Sequence, residues 1–231
     1  MVKRKGRSGE VVETEWLSEA LRRIVWQEED TPTLHAGDKI KIHVGDGVMR
    51  SYTPSAAHEA SKTMEIIAHV HGNGVGSAWA RDITRGDELR YMGPAKSFVS
   101  TAEDPEWAVF YGDETAVGLA KMLMERAGVP TVLGALELEP SSTGVSEALG
   151  LGLDEVARRE GGTRLVTHLE SLVLPNTNGV FWLSGEASTV LALREALLTM
   201  GYDRAQICLK AYWSVRGKAH RKKLEQGALR S

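Results

Sequence analysis

The sequence has very little cysteine and no long hydrophobic run. Cys208 is the only cysteine among 231 residues, so the chain cannot form an internal disulfide or supply a cysteine-ligated iron–sulfur cluster or structural zinc site. No apolar run approaches the roughly 20 residues that a membrane-spanning helix needs. The first ten residues are basic but lead into no apolar segment, so they do not resemble a secretory signal. These absences predict a reduced, soluble, cytoplasmic protein that does not bind a membrane.

Charge is unevenly distributed along the chain. There are 28 basic and 31 acidic side chains, a net charge of −3, yet the first seven residues carry four basic side chains and no acidic one. From residue 210 onward there are seven basic residues and one acidic residue. The acidic body between these ends argues against a surface that coats nucleic acid. The basic ends are either solvated termini or, at the C-terminus, a cluster that folds back to meet an anionic ligand.

The first half of the sequence has the pattern of short strands. Apolar and polar residues alternate over 39–44, and the segments 21–26 and 64–70 are rich in β-forming residues. Turn signals built from glycine and aspartate separate these segments. We therefore expect a small antiparallel β-barrel or sandwich over residues 1–97.

The second half alternates between strands and helices. The pattern predicts strands at 107–111, 131–138, 180–183 and 206–210 and helices at 115–127 and 188–200. This alternation indicates a doubly wound α/β domain with a parallel sheet, over residues 98–216, followed by a basic tail over 217–231. The stretch 141–162 predicts either a short helix within a loop or a variable connection. Because ligands bind at the carboxyl ends of such strands, we expect a cofactor cleft between the domains.

Two segments of the first half suit a flavin dinucleotide. Arg-Ser-Tyr-Thr-Pro at 50–54 combines a guanidinium for phosphate, an aromatic ring for stacking and a hydroxyl for a ring nitrogen. The segment 71–80 has three alternating glycines before a predicted helix at 77–83, which Ser77 would cap and whose N-terminus would bind phosphate. Taken alone, the first segment is also typical of an edge strand running into a turn, and the second of a hairpin.

Seven segments then follow a recognisable order. They are Arg-Ser-Tyr-Thr-Pro at 50–54, His-Gly-x-Gly-x-x-Ser-x-Trp-Ala at 71–80, Gly-Asp-x-Leu-Arg at 86–90, Gly-Pro at 93–94, Gly-Asp-Glu-Thr-Ala at 112–116, Trp-Leu-x-Gly-Glu-Ala-Ser at 182–188 and Tyr-Trp at 212–213. In this order they resemble the siderophore-interacting protein family, FAD-dependent ferric-siderophore reductases of ferredoxin-reductase-like fold. The resemblance spans almost the whole chain. It implies that residues 1–97 form an antiparallel β-barrel FAD-binding domain and that the doubly wound domain over 98–216 is NAD(P)H-binding-like.

The resemblance implies an NAD(P)H-dependent flavin oxidoreductase. Electrons would pass from NAD(P)H through FAD to Fe(III) bound in a siderophore, and the iron would be released. One alternative is an FAD-binding electron-transfer protein whose partner is another protein. A second is a module without flavin that binds a ferric chelate or a polyanion at the basic tail.

The resemblance also implies which residues bind the cofactor. Arg50 would neutralise an FAD phosphate, Tyr52 would pack on the isoalloxazine ring, and Thr53 would hydrogen-bond near its redox-active edge. Amides of the glycine segment would hold the pyrophosphate. The full set expected to bind cofactor is Arg50, Ser51, Tyr52, Thr53, His69, His71, Gly74, Val75, Gly76, Ser77, Trp79, Asp113, Thr115 and Glu186.

No catalytic acid or base is expected, because electron transfer through the flavin does not require one. No protein-bound metal is expected either, because the iron arrives in its chelator and the histidines show no metal-ligand spacing. Ferric siderophores are often anionic, so basic side chains of the tail are expected to bind the substrate. These are Arg216, Lys218, Arg221 and Lys222.

The phosphate sites depart from the family pattern. Ala78 stands where the family usually has an arginine, so the site has one cation fewer for the diphosphate. The groups that remain to bind it are Arg50 and the helix amides, with Arg81 as a further candidate. Val117 and Gly118 replace a usual Leu-Pro pair, which predicts a more flexible first helical turn.

The second domain departs from the pattern as well. Asp113 and Glu114 are expected to satisfy the helix N-terminus themselves and to repel an incoming phosphate, so NAD(P)H would bind weakly near Thr115. The segment Ser184-Gly185-Glu186 lies where related reductases have a cysteine, and Glu186 either orients a cofactor or caps a helix. Cys208 is expected in the core.

Overall fold

The computed structural model describes residues 6–99, 103–215 and 217, apart from the side chain of Glu160. It contains an antiparallel sheet followed by a parallel α/β sheet, which confirms the predicted fold class. No helix in these ranges is both long and apolar enough to cross a bilayer. The domain limits drawn after residues 97 and 216 stay predictions, and only Gly217 of the basic tail lies within the description.

The first sheet has seven strands. They are β1 (Gly6–Trp16), β2 (Leu21–Gln27), β3 (Lys39–His43), β4 (Met49–Tyr52), β5 (Pro54–His58), β6 (Thr63–His69) and β7 (Glu88–Ala95). Their order across the sheet is β4-β3-β7-β1-β2-β6-β5. No ladder joins the two end strands within the described residues, so the expected barrel is an open, barrel-like sheet. Both end strands are short, and β5 begins with Pro54, which has no N–H to donate.

Side-chain alternation places the core of this sheet. In β3, Ile40 and Ile42 are fully buried while Lys41 and His43 are exposed, as the pattern at 39–44 predicts. Strands β2 and β6 are confirmed too and pair with each other. Strands β1 and β7 were not predicted. In β1 only Val11 is buried, so its sequence carries almost no apolar signal.

The second sheet has five strands, all parallel. They are β8 (Trp107–Asp113), β9 (Thr131–Leu138), β10 (Asp154–Ala157), β11 (Gly179–Glu186) and β12 (Ile207–Trp213), in the order β10-β9-β8-β11-β12. The α-helices are α1 (Val75–Asp82), α2 (Val117–Arg126), α3 (Val145–Ala148), α4 (Thr163–Ser171) and α5 (Ala187–Thr199). Short 3-10 helices cover Glu114–Ala116, Pro140–Ser142, Glu160–Gly162 and Arg204–Gln206.

Helices cover both faces of the parallel sheet, which confirms the doubly wound prediction. On one face, Leu119 and Leu123 of α2 pack in a cluster with Phe110 of β8. On the other face, Leu193 of α5 lies in a separate cluster with Phe181 of β11 and with residues of α4. Each of these side chains is at most 2% exposed, so burial of apolar area stabilises both layers.

The segment 141–162 contains more structure than the predicted short helix. Helix α3 is present, but the edge strand β10 follows it, and α4 begins immediately after the segment. Strand β10 has four residues, Asp-Glu-Val-Ala, and none of them is buried, so it lacks the apolar run that marks the interior strands. Cys208 is buried in β12, as expected.

Candidate functional site

A cleft of about 400 Å³ lies between the two sheets, within the size range of small-molecule sites. It is bounded by the end of β4, the N-terminus of α1 and the carboxyl ends of β8 and β12. Ten of the fourteen residues expected to bind cofactor line it: Arg50, Ser51, Tyr52, Thr53, His69, His71, Gly74, Gly76, Ser77 and Thr115. The fold thus brings together segments that are far apart in the sequence.

Arg50 is positioned against the glycine segment. It lies on edge strand β4, is exposed, and donates a hydrogen bond of 3.3 Å to the carbonyl of Met49. No ion pair found among the described residues involves it. A Cβ added to Gly76 would lie 3.2 Å from the Cγ of Arg50, so glycine lets the arginine stem pass close to the first turn of α1. The guanidinium therefore has donors left for an anion.

The N-terminus of α1 carries unpaired amides at the cleft. Its N-cap is Gly74, and no side chain caps it. The expected cap by Ser77 is wrong, because Ser77 is the third residue of the helix. Its Oγ accepts from the amide of His71 at 3.1 Å and donates to the His71 carbonyl at 2.7 Å. The first-turn amides have no partners within the helix, and with the helix dipole they suit a phosphate.

Arg81 does not replace the missing family arginine at position 78. It does not line the cleft, and its Nη2 donates to the carbonyl of Gly72 at 3.3 Å. Arg81 therefore holds the loop before α1 in place. Val75 is the first residue of α1 and is 37% exposed, and it does not line the cleft either.

Tyr52 presents an aromatic ring to the cleft. Its ring is 5.8 Å from that of Trp79 at an interplanar angle of 46°, so Trp79 supports Tyr52 rather than lining the cleft itself. Burial raises the pKa of Tyr52 to about 12, although the charge of Arg50 opposes this shift. The phenol is therefore neutral at physiological pH and can pack on a flat, apolar ring.

Two histidines stack at the cleft wall. The rings of His69 and His71 are 4.7 Å apart at an angle of 30°. Burial lowers the pKa of His69 to about 4, and the charges of His71 and Arg158 act in the same direction. His69 is therefore neutral at physiological pH and offers one donor and one acceptor nitrogen.

The lowered pKa of His69 predicts a pH-dependent stability. Between about pH 6.5 and pH 4 the unfolded chain binds a proton at His69 that the folded chain excludes. The free energy of unfolding should therefore fall as the pH drops through this window. In His69→Gln this part of the slope should disappear from urea denaturation measured across the window. The control, His43→Gln at an exposed position, should keep the parental slope, and a parental slope in His69→Gln would contradict the assignment.

Asp113 and Glu186 lie behind the cleft wall. Asp113 accepts from the amide and hydroxyl of Thr115 at 2.9 and 2.5 Å, from the amide of Glu186 at 2.9 Å and from the indole of Trp213 at 2.7 Å. Glu186 is the N-cap of α5 and also accepts from the amide of Val215 at 3.3 Å. Helix capping by both carboxylates is therefore observed. Neither residue lines the cleft, and direct cofactor contact by either stays a prediction.

Glu114 does not satisfy the helix N-terminus, contrary to the expectation. Its fully buried side chain accepts from the amide of Glu139 at 2.7 Å and forms an ion pair with Arg158. The Arg158 guanidinium also lies 5.7 Å from the ring centre of Trp213, which lines the cleft. Glu114 thus pairs with a cation that directly follows the edge strand β10, a partner that no local sequence pattern signals.

The two sheets meet directly at Thr53. Its Oγ1 is 2.6 Å from the hydroxyl oxygen of Tyr212 in β12. A Cβ on Gly118 would lie 3.1 Å from the Thr53 carbonyl oxygen. Gly118 is buried in the first turn of α2, so this glycine allows α2 to approach the first sheet closely. Gly118 is therefore a position of close packing between α2 and the first sheet, a role that the sequence analysis did not predict.

Sequence reasoning missed several residues of the cleft wall, including the cations Lys39 and Lys210 and the hydroxyl of Tyr212. Lys210 and Tyr212 end a parallel strand, so the rule that ligands bind at carboxyl ends could have identified them. Lys39 begins β3, and no pattern in the sequence distinguishes it from other exposed lysines. No group of metal-ligating side chains occurs in the described part of the chain.

The residues at the cleft fit a flavin dinucleotide. An arginine with donors to spare lies beside uncapped helix amides, as a diphosphate requires. A neutral aromatic ring, that of Tyr52, and Thr53 line the same cleft. Arg50, Tyr52, Thr53, Gly74 and Gly76 are the residues that would hold FAD.

Two family models match the chain. One, described as the siderophore-interacting FAD-binding domain, matches residues 43–98, and the other, described as siderophore-interacting protein, matches residues 105–216. The chain belongs to the siderophore-interacting protein family. The match over residues 43–98 contains both the segment 50–53 and the glycine segment. This siderophore-interacting protein therefore carries the family's FAD-binding domain at the cleft described above.

Known relatives agree with this assignment. The chain is 27% identical over 174 residues to the NADPH-dependent ferric-chelate reductase of Escherichia coli, a match that covers 71% of this chain and 65% of that protein. The siderophore-interacting protein SipS from Aeromonas hydrophila has a TM-score of 0.78 at 23% identity, over 99% of each chain. A ferredoxin NADP+ reductase from Neisseria gonorrhoeae with bound FAD and NADP has a TM-score of 0.72 at 17% identity, over 90% of this chain and 98% of that one. The structural likeness supports the two-domain, ferredoxin-reductase-like fold.

Proposed function

We propose that this protein is an FAD-dependent ferric-siderophore reductase. It would pass electrons from NAD(P)H through flavin to siderophore-bound Fe(III) and so release the iron. The family membership and the name of the Escherichia coli relative support this proposal. The observation that carries it is the single cleft in which the Arg50–Thr53 residues, the amides of α1 and the end of β12 meet.

The chain's own residues bind and orient the cofactor in this proposal. Bound FAD supplies the chemistry, since it accepts electrons in pairs and donates them singly. Arg50 and the amides of α1 bind the diphosphate, and Tyr52 packs on the ring system, supported by Trp79. No side chain needs to act as an acid or base for the electron transfer.

Cations at the cleft favour an anionic ferric chelate as the substrate. Lys39 and Lys210 both line the cleft, and positive charge in a partly desolvated cleft attracts anions. The tail residues expected to bind the substrate, Arg216, Lys218, Arg221 and Lys222, lie outside the described residues, and their part in binding stays a prediction. The net negative charge of the body between the basic ends makes nucleic acid an unfavourable partner. The single, buried thiol suits a reducing compartment, so we place the activity in the cytoplasm.

One observation favours the alternative in which a protein donates the electrons. The carboxylate of Asp113 occupies the turn after β8, where a dinucleotide phosphate would approach an open sheet. Its oxygens already accept four hydrogen bonds from the chain, and its negative charge opposes a phosphate there. NAD(P)H would then bind weakly, and a reduced electron-transfer protein would be the better donor.

An absorption experiment tests the function and separates the donors. The purified protein, with FAD added if needed, is mixed anaerobically with NADPH, with NADH or with a reduced ferredoxin. A ferric siderophore and a ferrous-specific chelator are added next. Prompt bleaching by a nicotinamide, followed by ferrous chelate formation, supports the reductase. Bleaching only by ferredoxin supports the alternative, and a protein that takes up no FAD contradicts both.

A further inference from the structure

Three hydroxyl groups connect the cleft to the interior of the parallel sheet. The Thr53 Oγ1 is 2.6 Å from the hydroxyl oxygen of Tyr212, and Tyr212 also hydrogen-bonds the side chain of Ser184 in β11. The Oγ of Ser184 donates to the backbone carbonyl of Lys210 at 2.9 Å. We call Thr53, Tyr212 and Ser184 the hydroxyl chain. It crosses from the first sheet to the second and ends on a strand backbone.

The carbonyl at the end of the hydroxyl chain sets the direction of every hydrogen bond in it. A carbonyl only accepts, and each hydroxyl has one hydrogen to donate. The hydrogen of Ser184 is used on Lys210, so Ser184 accepts from Tyr212. The hydrogen of Tyr212 is then used as well, so Tyr212 accepts from Thr53.

Burial holds this arrangement. Ser184 is 3% exposed and Thr53 is 9% exposed, so water cannot readily replace a broken bond, and an unmade bond is costly in the interior. Burial raises the pKa of Tyr212 to about 12, while its bonds to Thr53 and Ser184 oppose the shift. Tyr212 therefore keeps its hydrogen at physiological pH.

We infer that Tyr212 and Ser184 are positioning residues that hold Thr53 as a hydrogen-bond acceptor toward the cleft. Thr53 lines the cleft, and with its hydrogen committed to Tyr212 its hydroxyl oxygen can only accept a hydrogen bond from a ligand there. One ring nitrogen of a flavin gains a hydrogen when the ring is reduced. In the oxidised ring the same nitrogen has a bare lone pair. A flavin bound with this nitrogen toward Thr53 would be repelled in the oxidised form and bound in the reduced form. The hydroxyl chain therefore favours the reduced flavin, an inference that rests on the proposed function.

Tyr212→Phe tests the inference through the midpoint potential of bound FAD. Without the tyrosine oxygen, the Thr53 hydrogen can turn to the cleft and bind the oxidised ring. We expect oxidised FAD to gain about tenfold in affinity relative to reduced FAD, which lowers the two-electron potential by about 30 mV. Ser184→Ala should shift the potential in the same direction, because the Tyr212 hydrogen then becomes available to Thr53.

Two further variants separate positioning from a general structural effect. In a Thr53→Val background, Tyr212→Phe should cause no further change in potential, because it acts through Thr53. Tyr111→Phe is the matched control. It removes another buried tyrosine hydroxyl of the parallel sheet, one that bonds Nδ1 of His168 at 2.8 Å, and it should leave the potential unchanged.

The outcomes distinguish this inference from the proposed function. If the parent and both variants bind FAD and all have one potential, the hydroxyl chain has no effect on the flavin and the inference fails while the reductase proposal stands. A potential shift in Tyr212→Phe that persists in the Thr53→Val background also overturns it. If the parent protein binds no FAD, both proposals fall.

Discussion

Replacing Arg50 with alanine should weaken FAD binding by about 10- to 150-fold. A hydrogen bond to a charged group contributes roughly 1.5–3 kcal/mol, and the Arg50 guanidinium has donors free for a phosphate beside the amides of α1. Because residue 78 is alanine and Arg81 binds the loop carbonyl of Gly72, no other arginine of the described residues is available at the N-terminus of α1 to compensate. Fluorescence titration of the apoprotein with FAD measures the dissociation constant directly.

Two arginine variants serve as controls for this loss. Arg50→Lys keeps the charge without the planar fork, so its affinity should fall between the parent and the alanine variant. Arg90→Ala removes an exposed arginine of the same sheet that pairs with Glu88 and should bind FAD as the parent does. Parental FAD affinity in Arg50→Ala would show that the phosphate is bound elsewhere.

Replacing Arg158 with methionine should lower the free energy of unfolding by about 3–5 kcal/mol. The side chain of Glu114 is fully buried and is paired with Arg158, itself only 19% exposed. Removing one partner of a buried pair leaves the other charge uncompensated, and such losses fall in this range. Arg158 also packs over Trp213 at the cleft, so FAD binding should weaken as well. Urea denaturation measures the stability.

The second partner of Arg158 provides a matched control. Glu139 pairs with the same guanidinium at 3.0 Å but is 52% exposed, and exposed pairs contribute at most about 1 kcal/mol. Glu139→Gln should therefore change the stability little. Adding Glu114→Gln to Arg158→Met should recover much of the loss, since it removes the unpaired charge. If Arg158→Met is as stable as the parent, the pair does not stabilise the sheet edge.

Much of the candidate site could be predicted because its motifs are contiguous. The residues at 50–53 and 71–77 carry their chemistry in short segments, and both segments line the cleft. The prediction of Ser77 as a helix cap failed because the helix begins two residues earlier than expected, at Val75. A half-buried lysine such as Lys39 could not be assigned to the cleft from the sequence, because the position of the first sheet against the second places it there.

The sequence alone determined the two-part architecture, the doubly wound sheet and the likeness to a flavin-binding family. Hydrophobic periodicity and turn residues act over a few neighbouring positions, so strands such as β3 and β9 can be predicted from their own residues. Only the tertiary structure decided that the first sheet stays open, that Glu114 pairs with Arg158 and that Thr53 meets Tyr212, 159 residues away. A buried polar side chain bonds whatever group packing brings within about 3 Å, and that group is chosen by how whole sheets and helices pack together.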